Sequence, residues 1–391
     1  MVFLGKSIKN TITALFAAFP LIVLGNPVQD TLNVEAGSVT YTKEHAIQDE
    51  HAPKDKNDMV NAYIDHHLQD SHDFVLFSDE GTGEHYGFPL PVILFDDGVK
   101  MFSSSRFHHG EEVAEVDGNY YAMHHGKIYK TDAKGTMKFD NHGHATNEKP
   151  FDMSITKNVV TMLFVCVLMF LMFAGLAKSY KKGPIPTGFG RVLEPLILFI
   201  RDEVAIPNIG EKKYRKYMGF LLTVFFFIWI LNLLGMTPLG VNVTGNISVT
   251  VCLALFTYLI TQFSANKDYW KHIFWMPDVP VLMKIVLMPI EILGTLTKPF
   301  ALLIRLFANI TAGHVVIMSL IAMMFVGKNL AADMPISIAL TLFISIIELL
   351  VAFLQAFIFT MLSSLFIGMA VQEHHHEEDH DAHTEEEPII I

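Results

Sequence analysis

Four ionisable side chains, Glu291, Arg305, His314 and Glu348, lie inside long apolar runs of the chain. Ionisable groups inside membrane helices cost roughly +2.5 to +3.5 kcal/mol each on insertion scales. Lys298 is a fifth, although its stem is long enough to carry the amine to an interface. One such residue reads equally well as half of a structural ion pair or as a helix end. An acid, a base, a histidine and a second acid in two neighbouring runs point instead to ion movement. Arg305 is central, in Ala301-Leu-Leu-Ile-Arg-Leu-Phe-Ala-Asn309. A guanidinium keeps its proton under ordinary conditions. It therefore cannot relay protons, but it can hold a fixed positive charge, attract a carboxylate and block a passing cation. His314 and Glu348 are groups whose protonation changes near neutral pH once burial and neighbours act on them. A fixed charge flanked by titratable groups suits proton conduction with a barrier in the path.

Helical spacing refines this. Arg305 and Asn309 are four residues apart and share a face. His314 is nine residues from Arg305, about half a turn away at roughly 100° per residue, so it meets a different neighbour. Glu348 and Gln355 are seven apart and share a face, with Gln355 nearer the level of Arg305. The spacing leaves room for a Glu348–His314 pair across two helices.

Those residues require membrane helices, and the composition provides them. The 391 residues are 51% hydrophobic and only 17% charged, with mean hydropathy +0.37. Soluble domains are about a quarter charged. A bilayer crossing takes roughly 20 apolar residues. Residues 158–177, 217–236 and 247–263 qualify, and two longer runs follow at 281–326 and 335–371. Five crossings are expected, the last two long and tilted. Pro289 and Pro299 suggest that the first long run opens with a separate segment. Between 189 and 204, Val192, Leu193, Leu196, Ile197 and Ile200 oppose Arg191, Glu194, Arg201 and Asp202, the pattern of an interfacial helix. Lys178, Lys181, Lys182, Lys212, Lys213, Arg215 and Lys216 crowd the first loop, which belongs inside. The loop 237–245 is uncharged and belongs outside, so the N-terminus is exported and the C-terminus cytoplasmic.

Ahead of the spans the sequence changes character. Residues 1–25 carry Lys6, Lys9 and a short apolar stretch, as a secretory signal does, with an uncleaved anchor as the other reading. Residues 26–150 are acidic, His-rich and, from about residue 73, punctuated by short alternating runs such as Val92–Phe95 and Lys127–Lys130. Asp96-Asp-Gly98 and Asp132-Ala-Lys-Gly135 look like hairpin turns. The expected fold class is an all-α polytopic membrane protein, residues 151–371, with a small β-rich exported N-terminal region. An acidic, His-rich cytoplasmic tail, 372–391, closes it. Cys166 and Cys252 lie in apolar runs and give no disulfide framework. The net charge of −12 argues against nucleic acid as a partner.

The segment Arg305-Leu-Phe-Ala-Asn-Ile-Thr-Ala-Gly-His314 closely resembles the signature of subunit a of F-type ATP synthases. Asn246-Ile-Ser-Val-Thr250 and Gln355-Ala-Phe-Ile-Phe359 resemble two further patterns of that family, and Glu291 and Lys298 stand fourteen and seven residues before the arginine, as in bacterial members. Tyr63-Ile-Asp-His-His-Leu68 resembles the start of the bacterial subunit. The resemblance spans about residues 59–73 and 150–371 and implies a multi-pass protein of the bacterial inner membrane. It implies that Arg305 faces the carboxylate of a rotating c-ring and separates two aqueous half-channels, with Asn309 and Gln355 lining that interface. His314 and Glu348 would belong to the exported half-channel, Glu291 to the cytoplasmic one, and Asn246 to the proton path. Some members carry Glu at the first and His at the second of the His314 and Glu348 positions; this chain has the reverse, as mitochondrial members do. Partners implied are the c-ring, peripheral-stalk b subunits and the lipid bilayer. Neither cofactor nor metal is called for.

The chain lacks a Gly-x-x-x-x-Gly-Lys-Ser/Thr loop, so it is expected to be non-catalytic, coupling ion flow to chemistry in other subunits. The alternative is a metal-ion transporter or metal-binding membrane protein, prompted by 19 histidines in clusters such as His66-His67, His108-His109, His124-His125 and His374-His-His376. Against it, no metal-ligand spacing occurs within the spans, and Arg305 would repel a cation.

Overall fold

The structure is a computed structural model and describes residues 39–41, 70–79, 84–110, 112–124, 126–140, 145–183, 185–237, 241–276, 279–326 and 330–372. The expected signal at 1–25, the Tyr63–Leu68 segment and the tail beyond residue 372 lie outside the described residues.

The helices in chain order are α1 (Lys157–Lys182), α2 (Gly190–Phe199), α3 (Ile206–Ile209), α4 (Tyr214–Gly235), α5 (Ile247–Ser264), α6 (Lys267–Phe274), α7 (Val281–Val326) and α8 (Leu330–Val371). Among the described residues five, α1, α4, α5, α7 and α8, are long and apolar enough to cross a membrane, as the hydropathy pattern predicts. α4 is apolar on every side and forms the hub, with Leu221, Leu222, Val224, Phe225, Phe226 and Ile228 fully buried. Aromatic rings fix its neighbours: Phe173 of α1 meets Phe226 edge-on at 5.3 Å, and Phe353 of α8 meets Phe225 at 5.7 Å. α7 packs against α8 and α5, leaving Leu293, Leu296 and Phe300 exposed along its far side.

Two expectations change. α7 is one unbroken helix through Pro289 and Pro299, with no separate opening segment. A proline frees the carbonyl four residues before it, Ile285 for Pro289 and Thr295 for Pro299, and membrane helices tolerate this. The Thr295 and Thr297 hydroxyls make local bonds to the Ile292 and Gly294 carbonyls at 2.7 and 2.9 Å. The amphipathic segment at 189–204 is helical, but a π-helical stretch, Ile200–Ala205, follows α2 and rotates its faces. Leu193, Ile200 and Val204 are buried as a result, while Val192 is exposed.

Among the described residues the N-terminal region has ten short strands: β1 (Val39–Tyr41), β2 (Asp73–Asp79), β3 (Glu84–Pro89), β4 (Pro91–Phe95), β5 (Val99–Ser103), β6 (Ala114–Val116), β7 (Asn119–His124), β8 (Lys127–Thr131), β9 (Met137–Phe139) and β10 (Phe151–Asp152). They pair antiparallel in four small sheets, β10-β4-β5, β6-β7-β8, β2-β3 and β1-β9. Asp96-Asp-Gly98 makes the β4–β5 hairpin, with Asp97 and Gly98 at positive φ. Asp132–Gly135 is a turn, closed by the Gly135 amide on the Asp132 carbonyl, but β8 and β9 belong to different sheets. It redirects the chain between sheets and is no hairpin. A further tight hairpin is Asp117-Gly118, between β6 and β7. Val92, Leu94, Phe102, Phe107 and Tyr121 form the core, in which Asp96 accepts from the Tyr121 hydroxyl at 2.7 Å and from Lys130 at 3.1 Å.

This region joins the membrane helices rigidly. Past β10, the Met153 and Ile155 amides continue onto the Ile93 and Pro91 carbonyls, and α1 begins two residues later. The first amides of a helix lack intrahelical partners. Asp70 accepts from the Asn158 amide at 3.3 Å and from the Thr156 hydroxyl at 3.0 Å, and the Ser71 carbonyl accepts from the Lys157 amide. The cap of α1 thus comes from a segment more than eighty residues upstream.

Candidate functional site

The site is the seam between α7 and α8. On α7, Leu302, Leu306 and Ile310 repeat every four residues and bury one face. That register turns Arg305 and Asn309 outward, and both are exposed. Among the described residues Arg305 makes no ion pair. On α8, Ala352, Ala356 and Phe359 pack inward, and Gln355, between them, is 2% exposed. The Asn309 Nδ2 donates to Gln355 Oε1 at 2.8 Å, so these two residues are brought together as expected.

Two turns further along α8, Glu348 is buried at 9% exposure. Its carboxylate lies on Gly313: a Cβ added there would stand 2.6 Å from Oε1. A side chain at position 313 would make the end of the Glu348 side chain shift from this place. The Glu348 Oε2 and the Gln355 Nε2 have no partner among the described residues, nor do the buried hydroxyls of Thr311, Ser337 and Thr341. Ser337, Thr341, Glu348 and Gln355 follow one another at spacings of four, seven and seven, which places them on one side of α8. A polar file therefore runs through the seam from Ser337 to Gln355. Buried polar atoms without partners are expensive, and in native proteins such groups bind water or serve a function. His314 is the residue after Gly313; its side chain lies outside the described residues.

Glu291 and Lys298 stand elsewhere, near a shallow cleft between α5, α6 and α7. Thr257, Thr261 and Gln262 of α5, Tyr269 of α6 and Thr295 and Lys298 of α7 line it. The Lys298 ammonium lies 5.5 Å from the Phe366 ring centre. Burial pushes the Tyr269 phenol above its ordinary value, and the charge of Glu291 adds to the effect. Glu291 is therefore close to this cleft and separated from the Glu348 file. Asn246 has a structural role. It caps α5, its side chain accepting from the Ser248 amide at 3.0 Å.

Sequence reasoning missed Gly313, Thr311, Ser337 and Thr341. The available signal was hydroxyls recurring at helical spacing ahead of Glu348. Among the described residues no three His, Cys, Asp or Glu side chains stand together as metal ligands.

A family profile described as ATP synthase A chain matches residues 159–368, more than half of the chain. A second, described as a domain of unknown function (DUF8433), matches residues 63–153. The chain is similar to "ATP synthase subunit a 2" of Chlorobaculum tepidum, 47% identical over 241 residues, which covers 60% of this chain and 67% of that protein. It is similar to "ATP synthase subunit a 2" of Prosthecochloris aestuarii, 42% identical over 308 residues, covering 74% and 93%. That alignment is too long to lie within the spans alone, so the two proteins also share part of the β region. "ATP synthase subunit a" of an Anaeromyxobacter species is 41% identical over 277 residues, covering 69% and 64%. The metal-transporter alternative finds no support in these similarities. With five apolar helices, an outward-facing arginine and a matched segment that contains the whole α7–α8 site, this chain belongs to the ATP synthase A chain family.

Proposed function

We propose that this chain is the proton-translocating subunit a of a rotary ATP synthase, a non-catalytic membrane subunit that couples proton flow to the turning of a c-ring. The observation that carries the reading is Arg305, exposed on α7 without an ion pair among the described residues, one turn from the Asn309–Gln355 bridge. A permanent cation on an outward apolar face suits a partner that brings a carboxylate. Its charge would draw a c-ring carboxylate into ionisation and prevent protons from passing directly between the two half-channels.

In this reading Glu348, the file of hydroxyls and His314 form the half-channel open to the exported side. Glu291 and the cleft beside Lys298 form the cytoplasmic one. The lysines at the end of α1, Lys178, Lys181 and Lys182, and the basic residues around the start of α4 face the cytoplasm of a bacterial cell, which puts the β region outside. Peripheral-stalk b subunits would brace the static side. His314, a good proton carrier and a poor sodium ligand, supports H⁺ as the ion.

The test uses the assembled complex in vesicles. Arg305→Ala is expected to abolish ATP synthesis while permitting passive proton leak, and Arg305→Lys to fail as well, since a desolvated ammonium can release its proton. Synthesis by the unaltered complex should not require Na⁺. Normal synthesis in either assembled variant would sink the proposal.

A further inference from the structure

The last two turns of α8 are held differently from the rest of that helix. The Ser364 hydroxyl donates to the Val204 carbonyl at 3.1 Å, and the same carbonyl accepts from Asn208 Nδ2 at 2.8 Å. Val204 belongs to the π-helical stretch after α2. Four residues on, Gly368 lies directly on the Asn208 carbonyl: a Cβ there would be 2.1 Å from that oxygen. At the helix end, the Val371 carbonyl accepts from Lys213 Nζ at 2.7 Å and from Asn266 Nδ2 at 2.8 Å. The Asn266 amide donates to the Ala370 carbonyl at 2.9 Å. A cation at a helix C-terminus also meets the negative end of the helix dipole. Three separate connecting segments therefore converge on one helix end, across 100 to 160 residues of sequence. Toward the middle of α8 one face is open by contrast, with Leu342, Phe343, Ile346 and Leu350 each about 60% exposed or more.

We propose that this end of α8 is the fixed mount of the translocation site. Val204, Asn208, Lys213 and Asn266 set the axial register of α8, and so hold Gln355 against Asn309 and Glu348 against Gly313. They are positioning residues, acting through the helix and not on the proton. The physical reason is the helix itself. A slip of one residue moves every side chain about 1.5 Å along the axis and about 100° around it. Either displacement separates the Asn309–Gln355 bridge and moves the Glu348 carboxylate off Gly313. A rotating partner would also drag on α7 and α8, and a register held at one end resists that drag. The proposal rests on the reading of Arg305 and Gln355 given above.

The test measures register and coupling separately, in the assembled complex. Cysteines replacing Asn309 and Gln355, joined by a short thiol cross-linker, report register by cross-link yield. Gly368→Ala, and the double variant Lys213→Met with Asn266→Ala, are expected to cut that yield several-fold. In the otherwise unaltered chain the same changes should lower ATP-driven proton pumping several-fold while ATP hydrolysis continues, and displace its pH profile. Lys213→Arg should retain both. If Gly368→Ala fails to assemble, the double variant decides. An unchanged yield overturns the mount, and so does a lowered yield with pumping and pH profile intact. Arg305→Ala, run in parallel, separates the two ideas: if it too leaves synthesis normal, the reading of the site has failed and not the mount alone.

Discussion

Arg305 and Glu348 are opposite solutions to placing a charge in an apolar helix. Arg305 stays charged and turns outward, where a partner can answer it. Glu348 is withdrawn into the seam, against the bare backbone of Gly313, and can lose its charge. The proposed relay needs this second kind of group, and it needs His314 to titrate with it as one unit. Replacing either with an apolar residue should slow proton flow from the exported side. The exchange His314→Glu with Glu348→His is expected to recover more proton pumping than either single exchange. Pumping by the double variant no better than by the worse single would show that the two act independently. The ionisable members of the site were legible because charge in an apolar run is rare. Gly313, Ser337 and Thr341 were not, because helices commonly hold hydroxyls and glycines for local reasons. What distinguishes these three is the helix that lies opposite, and sequence spacing along one helix carries no trace of that.

Elements show the same division between local and distant causes. Five apolar helices and most strands follow from patterning within a dozen residues, so they were predictable. The continuity of α7 through two prolines was not, since a proline inside an apolar run is compatible with a break and with a continuous membrane helix alike. The Asp132–Gly135 turn was recognisable as a turn, but which strands it connects depends on pairing far away. Asp96 illustrates how the β region closes on itself. The Tyr121 hydroxyl and the Lys130 ammonium, both bonded to its carboxylate, hold it below the ordinary value of 3.8. A depressed acid contributes stability that is complete above that ordinary value and is lost as pH falls through the lower, folded value. Pepsin resistance of the β region, followed stepwise below pH 3.8, should therefore decline. In Asp96→Asn that acid dependence should be weaker, from a lower starting resistance. Identical acid profiles for the two proteins would show that the network contributes nothing to this response.

Across the whole molecule, the β region and the membrane helices form one mechanical body at α1. β10 runs into the helix by way of backbone bonds, and Asp70 and Ser71 close its first turn. Residues matched by the domain of unknown function supply that cap, so the two matched segments meet in a shared structural joint. At the other extreme, α8 is held at its C-terminal end and exposes one face toward its middle, and α7 presents Leu293, Leu296, Phe300 and Arg305 to its surroundings. That last face bears on the life of the chain before it has partners. A solitary copy in a bilayer would offer lipid a guanidinium, at roughly 2.5 to 3.5 kcal/mol on insertion scales. The penalty is relieved only when an acidic partner arrives, so the residue proposed to separate the half-channels would also mark an unassembled subunit as unfinished. In cells lacking the c-ring protein, pulse-chase labelling should find this chain short-lived, with Arg305→Leu lengthening its half-life. Equal half-lives would detach the arginine from that fate; a longer one would make Arg305 a built-in signal for the disposal of orphans.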